Sequence, residues 1–159
     1  EQKLVIKLDV GKSSQFKSYL PLYSIRAACG AFNNDDTNEI EGWVNVKKCN
    51  ITPTKDMFVV HAEGSSMEPL IHDGDLCIFS YTNAYENGAI MLIESNNLFC
   101  QHVIKEFHCR PTLFPEYTED NNVILHSLNP EFQDIVLSAT DNPRIVGKLI
   151  KVIHAHEQF

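Results

Sequence analysis

The residues most able to do chemistry lie in one short stretch, "AEGSSMEPLIHDGDLCIFS", which runs from Ala62 to Ser80. It places two serines, Ser65 and Ser66, after a glycine and before an apolar run. A serine hydroxyl is a weak nucleophile at neutral pH, so it needs an adjacent base and backbone N–H groups that stabilise the developing oxyanion. A Gly-Ser-Ser-Met turn can offer both, although serines in such a turn more often serve only as caps. The sequence therefore suggests a serine nucleophile whose base has still to be identified.

The seven histidines offer a base, but their spacing does not define a metal site. His72 follows Ser66 closely enough for a dyad, yet no aspartate is clearly placed to orient its ring, and the DGD of residues 73–75 is better explained as a turn. His154 and His156 share a face of a predicted strand but have no third ligand near them in the sequence. No cysteine is marked as an activated thiolate. The pattern predicts no metal and no cofactor.

The composition excludes several classes of function. The chain has 159 residues, enough for one domain with a buried core, and a formal net charge of -8. Such an acidic chain lacks the positive field that holds a phosphate backbone, so direct nucleic-acid binding is not expected. Its apolar runs are too short to span a bilayer, and no membrane partner is predicted. Five cysteines without a CxxC pair favour a reducing, cytoplasmic location.

The elements that must position these residues are predicted to be mostly β-strands. Short β-type runs alternate with turn residues, and little of the chain has a sustained 3.6-residue period. The predicted strands are residues 57–62, 76–80, 89–94, 98–105, 123–127, 135–137 and 146–155. Residues 1–50 differ in composition and are interpreted as an N-terminal arm on a β domain of residues 51–159. The polar start at Glu1 suggests a fragment of a longer protein.

The serine stretch resembles the nucleophile segment of the LexA/UmuD family of self-cleaving serine peptidases. The shared pattern is G-x-S-M followed by a short spacer and "DGDL", which makes Ser66 the implied nucleophile. "PLYS" followed by "AACGAF", within residues 21–32, is similar to the UmuD cleavage segment and implies a scissile bond between Cys29 and Gly30, within an arm segment of residues 27–32. The resemblance extends to about residue 155 and implies a LexA/signal-peptidase-like β-fold. Signal peptidases share "SMEP", but they need a membrane anchor that this sequence does not show.

The general base of this family is a lysine on a strand after the serine, in a segment similar to "TVKRL". In "LFCQHVIKEF" (residues 98–107) the position matched to that lysine is Gln101. Burial lowers the pKa of a lysine until its neutral amine can accept the serine proton, which an amide cannot do. The resemblance therefore implies an inactive chain, either an engineered Lys-to-Gln form or a lineage that lost proteolysis. Lys105 lies roughly 13 Å further along the strand and is expected to be a solvated edge lysine.

With a lysine at position 101, the resemblance implies a Ser–Lys dyad that cleaves the chain's own arm without a cofactor. The backbone N–H groups of Ser65 and Ser66 are the expected oxyanion hole. The resemblance also implies a homodimer formed through the closing strand "RIVGKLIKVIHAH" and a regulatory role in a larger stress-response (SOS-like) or antiphage-defence protein. Two alternatives remain open, namely a non-catalytic dimerisation or sensor module, and cleavage of a separate partner protein in trans.

Overall fold

A computed structural model describes residues 6–31, 39–96, 102–109 and 123–157. In these residues, strands dominate and confirm the predicted mostly β fold. The strands are β1 (Ile6–Lys7), β2 (Tyr19–Tyr23), β3 (Gly42–Asn45), β4 (Met57–His61), β5 (Leu76–Tyr81), β6 (Ile90–Glu94), β7 (His102–Cys109), β8 (Val123–His126), β9 (Ile135–Leu137) and β10 (Arg144–Ile153). One α-helix, α1, spans Ile25–Ala31, and two short 3-10 helices span Ala139–Asp141 and Ala155–Glu157.

The strands form one sheet in the order β1-β3-β2-β4-β5-β10-β6-β7-β8-β9. Only the β2–β4 pair is parallel among the described strands. The closing strand β10 is not an edge, because it is hydrogen-bonded to β5 on one side and β6 on the other. Gly147 permits this close packing, since a Cβ there would lie 3.1 Å from the carbonyl oxygen of Ser80. Three of the six apolar side chains of β10, Ile145, Val146 and Ile153, are therefore buried within the chain itself.

The described part of the first fifty residues is built into this sheet and does not form a separate arm. β2 pairs with β3 and, in parallel, with β4, while β1 lies at the sheet edge beside β3. Leu20 and Val44 are fully buried, and the Trp43 ring meets Phe16 edge-on with the ring centroids 5.5 Å apart. The prediction of an exposed loop relied on the polar residues after Phe32, and residues 32–38 lie outside the described ones.

The helix α1 contains the bond implied as scissile. Ser24 begins it, because its side-chain Oγ accepts the N–H of Ala27 at 3.1 Å and its carbonyl accepts the N–H of Ala28 at 2.9 Å. The small side chains of Ala27, Ala28 and Cys29 are buried, and the helix packs on β2, β4 and β7. A helix this short is stabilised by tertiary packing more than by the helix propensity of its residues. For this reason the sequence shows no helical periodicity that would have predicted it.

Six of the seven predicted strands lie within two residues of the observed ones. The exception is the predicted strand at residues 98–105, since β7 is described from His102 and continues four residues further, to Cys109. Residues 98–101 lie outside the described part of the chain.

Candidate active site

The loop between β4 and β5 (residues 62–75, the Ser66 loop) carries Ser66. Its two ends are joined where Ala62 N–H donates to the carbonyl of Asp75 at 2.8 Å. Gly64 adopts φ +82°, which favours glycine, and donates its N–H to Asp73 Oδ1 at 2.8 Å. Asp73 is thus the turn residue that the sequence indicates. These bonds present Ser66 at the end of two core strands.

Asn129, in the loop after β8, holds the serine turn from the opposite side. Its backbone N–H donates to the carbonyl of Ser66 and its Nδ2 donates to the carbonyl of Ser65, each at 3.0 Å. In a trans peptide bond the carbonyl of one residue and the N–H of the next point in opposite directions. Because the Ser65 carbonyl points towards Asn129, the Ser66 N–H points away from it. Met67 is buried and seats the turn on the core. Asn129 is a positioning residue to which the sequence analysis assigned no role.

Lys105, in the middle of β7, reaches the candidate nucleophile. Its Nζ donates to Ser66 Oγ at 2.6 Å, a contact between residues 39 positions apart. The lysine is buried, with 7% of its surface exposed, and this burial lowers the pKa of its side chain. A neutral amine at this distance can accept the serine proton, because the same contact serves either direction of donation.

The contact moves the candidate base from position 101 to position 105. Gln101 lies outside the described residues, and the expectation of Lys105 as a distant, solvated edge lysine is wrong. The error came from matching Gln101 to the lysine of "TVKRL" and from treating Lys105 as too far along the strand to reach the serine. "VIKEF" (residues 103–107) already contained the signal, a lysine that follows an apolar residue and precedes a charged and then an apolar residue, as in "TVKRL". The expectations of an inactive chain and of a non-catalytic module rested on Gln101, and both stay predictions.

A cavity of about 230 Å³ opens beside Ser66 and Lys105. Apolar side chains from α1, the Ser66 loop and β7 line much of it, among them Ile25, Met67 and Ile104. These apolar neighbours contribute to the burial that lowers the pKa of Lys105.

The Cys29–Gly30 bond lies inside α1, in helical conformation, and the first residue of this helix, Ile25, lines the cavity. Cys29 is 1% exposed, and its Sγ lies within 4.8 Å of a carboxylate oxygen of Glu94 and a ring nitrogen of His102. Arg144 donates from Nη2 to the Cys29 carbonyl oxygen at 2.9 Å and also pairs with Glu94. Burial, followed by the nearby Glu94 carboxylate, raises the pKa of the Cys29 thiol to about 12. The helix and Arg144 thus hold the implied scissile carbonyl in place.

The four described cysteines, Cys29, Cys49, Cys77 and Cys109, are free thiols. Within the described residues, no helix is both long enough and apolar enough to cross a membrane.

A serine hydroxyl in contact with a buried lysine amine is the kind of arrangement that Ser–Lys peptidases use. The chain belongs to the Peptidase S24-like family, which matches residues 21–150 and comprises self-cleaving serine peptidases. It is also 31% identical over 107 residues to the LexA repressor of Clostridium novyi (strain NT). That alignment covers 67% of this chain and 46% of the repressor, so the chain spans about half the length of this curated relative.

Proposed function

We propose that this chain is a self-cleaving serine peptidase domain in which Ser66 is the nucleophile and Lys105 the general base. The observation that carries the proposal is the 2.6 Å contact between Lys105 Nζ and Ser66 Oγ, made by a lysine whose pKa burial lowers. Family membership supports the reaction class. The substrate we propose is the chain's own Cys29–Gly30 bond, which lies in the helix whose first residue, Ile25, lines the cavity.

The reaction begins when neutral Lys105 takes the Ser66 proton and Ser66 Oγ attacks the Cys29 carbonyl carbon. The backbone N–H groups of Ser65 and Ser66 stabilise the tetrahedral oxyanion. Asn129 holds this turn in place, because it donates hydrogen bonds to the carbonyl oxygens of both serines. The C–N bond then breaks, and the Lys105 ammonium gives its proton to the departing Gly30 amine. Water, deprotonated by Lys105, hydrolyses the ester between Ser66 and Cys29 and regenerates both groups.

Attack requires α1 to unwind, because a helical peptide bond held by Arg144 does not present its carbonyl to a serine outside the helix. Once extended, the segment remains tethered to the domain, so it reacts at a high effective concentration. The small residues around the bond, Ala27, Ala28 and Gly30, allow the backbone to approach the nucleophile closely. The balance between docked and unwound α1 therefore sets the cleavage rate.

The biological role we propose is a regulatory switch within a larger protein, of the stress-response or defence type. Its support is the match to a repressor of which this chain covers about half. Self-association as a homodimer belongs to the same proposal. In this arrangement the chain is its own substrate and needs no cofactor.

The test is a time course of self-cleavage at mildly alkaline pH, followed by gel and mass spectrometry. Ser66→Ala and Lys105→Met should each slow cleavage by more than about a thousandfold. Lys148→Met is the matched control, because Lys148 is a half-exposed lysine on β10 that pairs with Glu86 at 2.7 Å; it should cleave at the parent rate. Cleavage that survives Ser66→Ala would exclude the nucleophile.

Gln101→Ala separates the two candidate positions of the base. With Lys105 as base this variant should still cleave, whereas loss of cleavage would return the base assignment to position 101. A dilution series then distinguishes the two modes of cleavage, because an intramolecular reaction has a rate constant that does not depend on protein concentration.

A further inference from the structure

A second group of reactive side chains lies away from the Ser66–Lys105 pair, where the Ser66 loop meets the end of β10. Asp75, just before β5, is 1% exposed. Its Oδ1 accepts the backbone N–H of Ala155 at 2.9 Å, and its Oδ2 accepts that of His72 at 2.8 Å. A buried carboxylate is thus held in one orientation by the backbone of two elements.

Two imidazoles converge on this carboxylate. His154 Nδ1 lies 2.9 Å from Asp75 Oδ2, and His72 Nδ1 lies 3.7 Å from the same oxygen. The ligand atoms of the three residues all lie within 4.8 Å of one another. In a tetrahedral site with bonds of about 2.0 to 2.1 Å, neighbouring ligand atoms are roughly 3.4 Å apart. Small rotations of the two rings, which are partly exposed, therefore suffice to surround one ion.

The charge at this position favours a cation. The Asp75 carboxylate is buried, and its Oδ2 faces both imidazoles. Glu157 adds a second carboxylate, whose Oε1 accepts the His154 backbone N–H at 3.2 Å. Within the described residues, the ion pairs of Asp75 are made with the two histidines.

The cluster of Cys29, Glu94 and His102 offers a useful contrast. There the Arg144 guanidinium already pairs with Glu94 and binds the Cys29 carbonyl, so a positive charge occupies the place an ion would need. The group around Asp75 also has three possible ligands. Among the described residues, no guanidinium pairs with its carboxylate.

We propose that His72, Asp75 and His154 bind one divalent transition-metal ion of the Zn²⁺ type and thereby join the Ser66 loop to the end of β10. Two imidazole nitrogens and one carboxylate oxygen suit Zn²⁺, whereas Ca²⁺ and Mg²⁺ prefer all-oxygen sites. Three protein ligands leave a fourth position for water. The backbone bonds to Asp75 are the outer contacts that orient a metal ligand. The site is independent of the cleavage reaction.

The experiment uses the untagged full chain carrying Ser66→Ala, so that self-cleavage cannot alter the sample. Metal-stripped protein is titrated with Zn²⁺ in a calorimeter, and thermal unfolding is followed with and without the ion. We expect one ion per chain and a rise in the midpoint of unfolding of about 5 °C when Zn²⁺ is well above its Kd. Absence of uptake would overturn the proposal.

His72→Ala is the informative variant, because its side chain is half-exposed and its loss leaves the Asp75–His154 bond intact. It should weaken Zn²⁺ binding by at least about tenfold. The matched control is His126→Ala, which removes an exposed imidazole that pairs with Asp134 at 2.7 Å on another part of the sheet. An equal effect of both variants, or no effect of His72→Ala, would contradict the site.

Substitution of Co²⁺ for Zn²⁺ decides whether the ion sits on histidines or cysteines. The proposed site predicts visible d–d absorption without a thiolate-to-Co²⁺ charge-transfer band. A thiolate band would place the ion at the Cys29 cluster or another thiol and would overturn the assignment.

Discussion

The Lys105 side chain is buried with its amine on the Ser66 hydroxyl, and this burial determines its chemistry. Desolvation disfavours the ammonium form, so the pKa of Lys105 lies below the ordinary lysine value. Two observable consequences follow from this single residue, one for the rate of cleavage and one for stability.

Cleavage should accelerate as the pH rises, because only the neutral amine is a base. Below the lowered pKa of Lys105 the rate should increase about tenfold per pH unit, and it should level off before the ordinary lysine pKa of about 10.4. Single-turnover rates across this range provide the measurement. A plateau already reached near pH 6.5 would indicate a histidine as the base instead.

Lys105→Met should stabilise the fold at neutral pH by on the order of 1 kcal/mol, since it removes the cost of burying an amine. The lowered pKa means that this cost is largest at low pH and disappears as the pH rises past the ordinary lysine value. The gain in urea midpoint should therefore shrink at alkaline pH. Lys151→Met, at an exposed position of β10, is the control and should change little at either pH. A destabilised Lys105→Met protein would argue against this account.

Among the elements, most strands could be predicted from the sequence, whereas the role of β7 and the helix α1 could not. Alternating apolar residues and turn signals located most strands, because a half-buried strand has a period of two. The same signal does not distinguish positions 101 and 105, which share one face of a strand, and only the contact with Ser66 favours Lys105. Residues 25–31 carry no helical period, so their fold depends on tertiary packing and on the Arg144 contact, which no local pattern shows.

Arg144→Gln should speed self-cleavage, because Arg144 holds the Cys29 carbonyl and pairs with Glu94, and so keeps α1 docked. A hydrogen bond from a charged group contributes about 1.5 to 3 kcal/mol, so its loss should raise the rate about tenfold or more. Lys148→Gln, on the same strand but paired with Glu86, serves as the control. An unchanged or slower rate in folded Arg144→Gln protein would show that α1 docking does not limit cleavage.

At the scale of the whole molecule, the topology assembles sites from distant segments. Ser66 and Lys105 are 39 positions apart, and Asp75 and His154 are 79 apart. The sequence motif identified the serine because its glycine and turn residues are local. It predicted no group around Asp75, because only the pairing of β10 with β5 brings His154 there.

We expect the chain to form a dimer in which the face of β10 takes part. Ile150 is 40% exposed at a register irregularity of this strand, and its apolar side chain is suited to contact a second copy. Sedimentation at micromolar concentration should show a dimer, and Ile150→Glu should weaken it by about tenfold or more. Leu8→Glu, at an 88% exposed position, is the control. A strictly monomeric parent chain would contradict this prediction.

The most direct test of the central claim is the mass of the fragments that the purified, unsubstituted chain produces at alkaline pH. If Ser66 and Lys105 cut the chain's own Cys29–Gly30 bond, two products should accumulate together, one ending at Cys29 and one beginning at Gly30. Neither should form from the Ser66→Ala chain. A chain that stays intact across the alkaline range, or fragments that meet at another bond, would contradict the account.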